Sequence, residues 1–281
     1  MTTVAGSLTI LADNAVPGKS DLLGEHGFSA FLDTDQGNYL FDTGKGKAVV
    51  HNANLCRKDL GAIDAIILSH GHGDHTGGLP EVLNCHSGVT VCAHPDIFLT
   101  RFRQDSQGRR TYGGIPFHKG FLEKKGAQFI FNTAPAQLAP GIHLTGAVPR
   151  LTEFETGDMA NRFAERGGET LEDRIADDQS LIIVTRRGLL IVFGCAHAGA
   201  INVIRQAVTI TGIDRIYAVV GGTHLDFVDD AQVEKTIDAL RGYAIEHLMP
   251  SHSTGPRVAA RLSREFEASF EFSHVGKSLS F

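Results

Sequence analysis

The sequence predicts an α/β protein in which two β-sheets pack face to face and helices cover their outer faces. Short apolar runs bounded by turn residues recur along the chain, as strands do. Segments with apolar residues at helical spacing follow several of these runs. The elements form two halves, each with strands followed by strand–helix units. Two packed sheets with helices outside would bury all of these strands.

The first half begins with strands. The run 7–14 is a short apolar strand, and 28–44 contains two strands joined by the hairpin sequence DTDQGN. Apolar residues at roughly helical spacing predict a helix over 47–60. The stretch 62–69 is a continuous Ile/Leu run, which is typical of a strand covered on both faces. A short helix in GLPEVLN and a strand in GVTVCAH follow it.

Residues 98–176 have a different character. They include QGRRTYGGIPF, NTAPAQLAPG and NRFAERGGETLED, which are rich in glycine and polar residues. Strands are expected here at QFIFN and IHLTGAV. A long irregular passage inside a compact domain is usually functional. We therefore predict one domain over 1–281 with a substrate-capping insertion at about 98–176, and a partly disordered insertion is the alternative.

Regular structure returns at residue 180. SLIIVTRRGLLIVFG predicts a hairpin, and GAINVIRQAVTITG predicts a helix that ends at Gly212. After the strand RIYAVVGG, a helix begins near Asp229 or Asp230, both of which suit an N-cap. AIEHLMPSH predicts the last strand, and the helix after it carries Pro256 in its first turn.

Composition excludes several classes of protein. The chain has 281 residues, 42% hydrophobic and 21% charged, which is enough for a large core. Its net charge of -6 argues against nucleic-acid binding, and no apolar run reaches the roughly 18–20 residues of a membrane helix. MTTVAGSLTI does not resemble a signal peptide, and the cysteines show no CxxC pair. We therefore expect a cytoplasmic protein with free thiols, no nucleic-acid or membrane partner, and a homodimer as one candidate assembly.

Ligand-type side chains follow the ends of the buried strands, where α/β proteins usually place their sites. They are Asp42 in FDTG, the residues of SHGHGDH, Cys195 and His197 in FGCAHAG, His224 in GGTHLD, and His252 in PSHSTG. An acidic pair, Asp177 and Asp178, precedes another strand. This distribution predicts one site at an edge of the sheets.

The densest group is HGHGDH at 70–75. Neutral imidazole and carboxylate are preferred ligands of zinc, iron and manganese, and a divalent cation offsets the repulsion between crowded imidazoles. Glycines at 71 and 73 would let the backbone bend, so that His70 and His72 point one way. Asp74 and His75 can then point to a second position. The loop therefore predicts two adjacent metal sites, and a His-rich surface loop is the alternative.

HGHGDHTGG resembles the HxHxDH motif of the metallo-β-lactamase superfamily. LFDTG and PSHSTG extend the resemblance over nearly the whole chain. GEHGFSAFLDT, DDQSLIIV, FGCAHAGAINVI and GGTHL are similar to one subgroup. Its members are mostly hydrolases, and it includes synthases of 7,8-dihydropterin-6-ylmethyl-4-(β-D-ribofuranosyl)aminobenzene 5'-phosphate. The resemblance implies a four-layer αββα sandwich, which agrees with the two-sheet prediction.

The resemblance implies ligands for two divalent metal ions, His70 and His72 for the first and Asp74, His75 and His252 for the second. Asp42 would orient a ligand by hydrogen bonding. Zinc is the leading expectation, with manganese and iron as alternatives. Asp74 would also help to orient the nucleophile. His26 and His224 are acid–base candidates, and a structural role is the alternative for each.

The chain departs from the superfamily pattern in two places. Most members have a third histidine before the strand SLIIV, where this chain has ADDQS, so Asp177 or Asp178 would take that place. Many members have an aspartate where this chain has Cys195. Zinc β-lactamases carry a cysteine ligand at a comparable step, which supports Cys195. His197 is the other candidate, because alternate residues of a strand project to the same side. A buried structural cysteine and a core histidine are the respective alternatives.

The expected activity is hydrolysis by metal-bound hydroxide of a small anionic phosphoester, phosphodiester or related ester. Arg101, Arg103, Arg109 and Arg110 form a basic cluster that is either a solvated loop or an anion clamp. An iron-dependent oxidoreductase and a synthase like those of the pterin pathway are the alternative enzymes. A sensor that retained the fold and lost the chemistry is the non-catalytic alternative.

Overall fold

Two large sheets and one small sheet form the framework of the protein. The computed structural model describes residues 1–86, 88–157 and 161–281. Within them, the first sheet has the order β17-β1-β2-β3-β4-β5-β8. Its strands are β1 (Gly6–Ala12), β2 (Ser29–Thr34), β3 (Gly37–Phe41), β4 (Ala65–Ile67), β5 (Val89–Ala93), β8 (Ala127–Phe131) and β17 (Ser278–Ser280).

The second sheet has the order β16-β15-β14-β13-β10-β9. Its strands are β9 (Ala136–Ala139), β10 (Ile142–Leu144), β13 (Leu181–Thr185), β14 (Gly188–Phe193), β15 (Ile216–Gly222) and β16 (Ile245–Ser251). The third sheet, which we call the cap sheet, has the order β12-β11-β6-β7. Its strands are β6 (Thr100–Gln104), β7 (Arg110–Tyr112), β11 (Arg162–Arg166) and β12 (Glu169–Glu172).

Helices cover the outer face of each large sheet. They are α1 (Val49–Leu55), α2 (Gly73–Thr76), α3 (Leu79–Asn84), α4 (Lys119–Lys124), α5 (Ala200–Thr211), α6 (Asp230–Arg241) and α7 (Gly255–Phe266). Val49 and Leu79 pack on the outer face of the first sheet, and Ile204, Ile237 and Val258 pack on that of the second. Helices therefore form the two outer layers of an αββα sandwich, as predicted.

The central core lies between the two large sheets. Leu8 and Phe41 of the first sheet share one buried cluster with Leu190, Val220 and Met249 of the second. Strands β3, β4 and β5 are parallel to one another, and so are β14, β15 and β16. Because the carboxyl ends of parallel strands lie at one edge, each sheet delivers its strand-end residues to one place.

The structure confirms the residues predicted to start or end the carboxyl-terminal helices. Gly212 ends α5 in the left-handed conformation at φ 68°. Asp229 caps α6, and its side chain accepts a hydrogen bond from the Gln232 amide at 2.8 Å. Pro256 lies in the first turn of α7. These signals are local, which is why the sequence alone reveals them.

The middle region is more regular than predicted. QFIF and IHL are strands as expected, but β8 belongs to the first large sheet, whereas β9 and β10 belong to the second. The passage is therefore not one insertion. Its remaining strands form the cap sheet, whose β7 and β12 are fully exposed and lack the apolar alternation that marks a strand. Residues 158–160, also within the predicted insertion, lie outside the described residues.

Two predicted elements are shorter than expected. The helix predicted over 47–60 ends at Leu55, and the strand predicted over 62–69 covers Ala65–Ile67. Asp59 caps a single 3-10 turn between them by accepting a hydrogen bond from the Gly61 amide. Among the described residues, no helix has both the length and the apolar character required to cross a membrane.

Candidate metal centre

The HGHGDH segment starts just beyond β4 and enters the short helix α2. Gly71 and Gly73 do not adopt left-handed conformations, so the predicted reason for these glycines is wrong. A side chain at Gly71 would collide with the Ile97 carbonyl and the Arg101 guanidinium. Gly71 is therefore required by close packing, and the helical turn at Gly73–Thr76 presents Asp74 and His75.

Three imidazole nitrogens converge beside β4. His70 Nε2 lies 2.9 Å from His72 Nδ1 and 3.3 Å from His197 Nε2. Zn–N bonds of about 2.0–2.1 Å in a tetrahedral site place nitrogens about 3.3 Å apart. A single proton can bridge only one pair of nitrogens, whereas one cation can bind all three. The donor set of His70, His72 and His197 therefore fits a divalent metal ion.

A second group of donors lies next to the first. His75 Nε2 is 3.2 Å from Cys195 Sγ and 3.9 Å from Asp74 Oδ2. Asp74 Oδ2 is 3.4 Å from His252 Nε2. Imidazole, thiolate and carboxylate are all zinc ligands. We call the donors of both groups the ligand cluster, which comprises His70, His72, Asp74, His75, Cys195, His197 and His252. His224 also groups with Cys195 and His197 at distances that would suit a metal ion, and His26 with Asp74 and His252.

Hydrogen bonds behind the cluster fix how its histidines face it. His75 Nδ1 lies 2.7 Å from Asp42 Oδ2, the contact predicted for Asp42. Ser69 Oγ donates to Asp42 and lies 2.8 Å from His70 Nδ1, so it accepts the His70 proton. His252 Nδ1 lies 2.9 Å from Asn14 Oδ1. Each Nδ1 carries its proton away from the cluster, so Nε2 is the ring atom that faces a cation there.

The charges in the cluster also suit a cation. Burial and the neighbouring His70 hold the pKa of His72 well below its ordinary value, so His72 is neutral. Burial opposes ionisation of Cys195, but His75 and His252 hold its pKa well below the usual range. Burial likewise opposes ionisation of Asp74, yet His75 keeps its pKa low. Burial opposes protonation of His75 and His252, but the Cys195 thiolate raises the pKa of His75 well above its ordinary value and that of His252 to about 9. A divalent ion bound here would displace these protons and leave ionised thiolate and carboxylate beside neutral imidazole, which is a metal-binding set.

Neither aspartate of ADDQS belongs to the ligand cluster. Asp178 Oδ1 lies 3.8 Å from His70 Nδ1, on the ring nitrogen that faces away from the cluster. Burial raises the pKa of Asp178 to about 6. Asp177 accepts hydrogen bonds from Arg101 and from the Gly71 amide. His197 instead supplies the third imidazole, so the geometry departs from the expectation that Asp177 or Asp178 would replace it.

Cys195 and His197 are not alternatives for one position. The sequence interpretation placed both on a strand, but β14 ends at Phe193, and Ala196 has a left-handed φ of 50°. This turn sends the Cys195 thiol toward His75 and the His197 ring toward His70. Both side chains are buried within the cluster.

The two acid–base candidates lie next to the cluster. His26 Nε2 is 3.2 Å from Asp74 Oδ2, and the half-exposed His26 ring is held by Asn14 Nδ2 at 3.3 Å. The His224 ring lies 4.2 Å from the His197 ring and stacks on Phe227. Asn14 was missed by sequence reasoning, although it follows the first strand closely, as other site residues follow theirs.

A cavity of about 250 Å³ opens onto the cluster, and the cap sheet forms part of its wall. Arg103 of β6 and Arg162 of β11 are cross-strand partners that both line it, so we call it the arginine cavity. Of the four arginines expected to form an anion clamp, Arg101 and Arg103 line this cavity, whereas Arg109 and Arg110 do not. Arg109 pairs with Asp105 on the surface, and Arg110 lies over the Phe102 ring. Sequence reasoning missed Arg162, because the glycine-rich segment around it shows no recognisable helix or strand pattern.

Arg101 also lines this cavity, but its side chain pairs with carboxylates of the protein itself. Its buried guanidinium binds Asp177 at 2.5 and 2.7 Å and Asp173 at 2.8 Å. Asp177 also accepts the Gly71 amide at 2.8 Å. Arg101 is therefore an internal ion-pair partner that connects the cap sheet to the HGHGDH segment.

Asp177 should make the stability of the metal-free protein depend on acid pH. Burial opposes its ionisation, but Arg101 lowers the pKa of Asp177 to about 2, below the ordinary 3.8. A depressed carboxyl pKa stabilises the folded state above the ordinary pKa, and that contribution is lost as pH falls through the folded value. The difference in unfolding free energy between wild type and Asp177→Asn should therefore shrink between about pH 4 and pH 2. Urea titrations check this, and a constant difference would contradict it.

Comparison with known proteins agrees with this fold. Residues 23–198 match the family model of the Metallo-beta-lactamase superfamily. The chain is 30% identical over 279 residues to the 7,8-dihydropterin-6-methyl-4-(beta-D-ribofuranosyl)-aminobenzene-5'-phosphate synthase of Methanocaldococcus jannaschii, covering 96% of this chain and 95% of that protein.

Solved structures share the architecture. The structure of Tm1679, a metal-dependent hydrolase of the beta-lactamase superfamily, has a TM-score of 0.84 and 27% identity, covering 98% of this chain and 99% of that one. Zn(2+)-bound PqqB from Methylobacterium extorquens has a TM-score of 0.57 and 15% identity over 98% of this chain and all of that one, a likeness of fold alone. From the family match, the full-length similarity and the fold, the chain belongs to the metallo-β-lactamase superfamily.

Proposed function

We propose that the protein is a metal-dependent hydrolase of small-molecule phosphodiesters or related anionic esters. The observation that carries this proposal is a cluster of seven ligand-type side chains, most of them buried, that opens onto an arginine-lined cavity. Superfamily members are generally metal-dependent hydrolases, and the similar Tm1679 is described as one. The arginine cavity adds a preference for a negatively charged substrate, because guanidinium groups bind phosphate oxygens well.

The ligand cluster would hold two divalent ions, one on His70, His72 and His197 and one on Asp74, His75, Cys195 and His252. A divalent cation bound there lowers the pKa of water and polarises the oxygen of the ester. Zinc suits the imidazole–thiolate donors better than manganese or iron does.

His26 is placed to move a proton during the reaction. Asn14 Nδ2 donates to His26 Nδ1, so the ring proton of neutral His26 lies on Nε2, which faces Asp74 Oδ2. The half-exposed ring lines the arginine cavity and can exchange protons with both substrate and solvent. His26, once it has taken up a second proton from solvent, would protonate the departing alcohol and return to its neutral form, while Asp74 orients the ring. His224, which also lines the cavity, would bound the substrate.

A synthase reaction at the same site is the second candidate. The full-length similarity to the Methanocaldococcus jannaschii synthase favours it. That reaction would use the same cluster and the same arginine cavity, but it would join two molecules. Formation of a new product from two precursor molecules, without net ester hydrolysis, would favour the synthase over the hydrolase.

Metal removal tests the leading proposal. Purified protein should contain zinc by elemental analysis and hydrolyse bis(p-nitrophenyl) phosphate. Exhaustive chelation should remove that activity, and Zn²⁺, Mn²⁺ or Fe²⁺ should restore it to different extents. A metal-free preparation that retains full activity would overturn the proposal, and so would a zinc-loaded protein inactive on phosphodiesters, phosphomonoesters and lactones alike.

Arg103 and Arg162 should act on substrate binding. Arg103→Ala and Arg162→Ala should each raise the KM for the phosphodiester about tenfold, because each removes a charge-assisted contact. The kcat should change much less, since neither side chain belongs to the ligand cluster. Arg109→Ala is the matched control: it removes an exposed arginine from the turn between β6 and β7 and should leave KM unchanged. Equal KM values for all three variants and wild type would contradict an anion-binding role.

A further inference from the structure

The segment that carries His26 joins β1 to β2 and has no regular secondary structure. It covers residues 13–28, and most residues between 14 and 24 are exposed. The His26 side chain is itself 55% exposed, so packing does not fix its position. A group that transfers a proton must nevertheless lie within hydrogen-bond reach of the atom it serves. The backbone on either side of His26 therefore has to hold the ring in place.

Glu25, immediately before His26, is held by three successive backbone amides of the loop that follows β3. Its Oε1 accepts the amides of Lys45 and Gly46 at 2.9 and 3.2 Å, and its Oε2 accepts the amide of Lys47 at 2.9 Å. Successive amides that converge on one anion form a nest, which binds a carboxylate well. The Glu25 carboxylate therefore fixes the backbone just before His26 to this loop.

The loop that holds Glu25 is in turn bonded to the HGHGDH segment. The amide and the hydroxyl of Thr43 both donate to the His75 carbonyl, at 2.7 and 3.0 Å. The Gly78 amide donates to the Gly44 carbonyl at 3.3 Å. A side chain at Gly44 would come within 2.4 Å of Glu25 Oε1, so glycine permits the close approach of the carboxylate. A continuous set of contacts therefore runs from the Glu25 carboxylate to helix α2.

The backbone just after His26 contacts the same segment directly. The Phe28 amide donates to the Asp74 carbonyl at 3.3 Å, and the Gly27 amide donates to Asn14 Oδ1 at 3.2 Å. A side chain at Gly27 would lie 2.3 Å from the Asp74 carbonyl oxygen. The position of His26 Nε2, 3.2 Å from Asp74 Oδ2, therefore depends on contacts both before and after the residue.

We propose that Glu25 is a positioning residue, which holds the His26 ring where it can donate a proton to the substrate. This inference rests on the proposed function, in which His26 protonates the departing alcohol. Glu25 neither belongs to the ligand cluster nor lines the arginine cavity, so its influence passes through the backbone. A misplacement of about 1 Å can cost about 100-fold in rate. Loss of the Glu25 carboxylate should therefore slow proton transfer and spare the binding of metal and substrate.

The dependence of kcat on the leaving group tests the proposal with zinc-loaded protein. Methyl p-nitrophenyl phosphate releases a weakly basic phenolate that departs without a proton, whereas methyl phenyl phosphate releases a more basic one that needs the acid. Glu25→Ala should lower kcat for the phenyl ester about tenfold and change kcat for the p-nitrophenyl ester less than about twofold. The KM values and the zinc content should stay those of the wild type.

A double-mutant cycle separates positioning from a general structural effect. His26→Ala should lower kcat for the phenyl ester about 100-fold, and adding Glu25→Ala should lower it no further, because no ring is left to position. Asp59→Ala is the matched control: it removes an exposed carboxylate that accepts the Gly61 amide, and it should behave as wild type. No loss with the phenyl ester, equal losses with both esters, or a tenfold loss that persists in the His26→Ala background would each overturn the proposal.

Hydrogen exchange measures the anchoring of this segment without any turnover. In Glu25→Ala, the amides of Gly27 and Phe28 should exchange about tenfold faster than in wild type, because the backbone before them is released. Glu25→Gln retains one oxygen for two of the three loop amides, so it should give a smaller increase in exchange and a smaller loss of kcat. Unchanged exchange at both amides in both variants would overturn the proposal. Wild-type protein that hydrolyses neither ester would instead overturn the proposed function, and the exchange rates would still decide whether Glu25 anchors the segment.

Discussion

His72→Ala is expected to reduce the metal content of the purified protein from two ions to about one and to abolish hydrolysis. His72 Nδ1 lies 2.9 Å from His70 Nε2, and both nitrogens face the position that His197 completes. Loss of an outer hydrogen-bond partner of a metal ligand already costs about 10–100-fold in affinity or activity, and loss of the ligand should cost more. Elemental analysis and kcat/KM for bis(p-nitrophenyl) phosphate measure the two effects.

The matched control for His72 is His118→Ala. His118 is exposed, precedes α4 and makes no capping hydrogen bond through its side chain. This variant should retain both ions and full activity. If His72→Ala retained two ions, the assignment of the three converging imidazoles as one metal site would be wrong. Retained metal with lost hydrolysis would instead place His72 in a purely catalytic role.

Arg101→Met should lower the free energy of unfolding by about 3–5 kcal/mol, because it leaves two buried carboxylates without their cation. Asp173 and Asp177 are both buried, and both bind the Arg101 guanidinium. Metal affinity should fall as well, since Asp177 also binds the Gly71 amide between the first two histidine ligands. Urea unfolding of the metal-free protein separates the first effect from the second.

Two further variants make this result specific. Arg109→Met breaks an exposed pair with Asp105 and should leave the urea midpoint nearly unchanged, because solvent screens such a pair. Asp177→Asn in the Arg101→Met background should recover part of the lost stability, because it removes one uncompensated buried charge. If Arg101 instead bound the substrate, Arg101→Met would raise KM and leave the urea midpoint unchanged.

The sequence predicts the sandwich because its signals are local and repeated. The apolar runs of β13 and β14, the glycine after α5 and the aspartate before α6 each determine structure within a few residues. The cap sheet has no such signal. Its β12 is exposed along its whole length, so no alternation of apolar and polar residues marks it.

The site was predictable where its residues follow strands and unpredictable where distant segments meet. His70, His72, Asp74 and His75 lie on one short segment, and the structure groups them with Cys195, His197 and His252. The expectation that Asp177 or Asp178 takes the place of the missing histidine rested only on their position along the chain. Backbone geometry at Ala196 decides otherwise, because its left-handed conformation brings His197 to the position expected for an aspartate.

The single carboxylate shared by Arg101 and Gly71 has a thermodynamic consequence. Asp177 joins β6 of the cap sheet to the backbone of the metal-binding segment, so one group stabilises both. Two ligands that act through the same structural element must influence each other reciprocally. If substrate binding favours this arrangement of the cap sheet, it increases the affinity for the metal by some factor. The metal then increases the affinity for the substrate by the same factor.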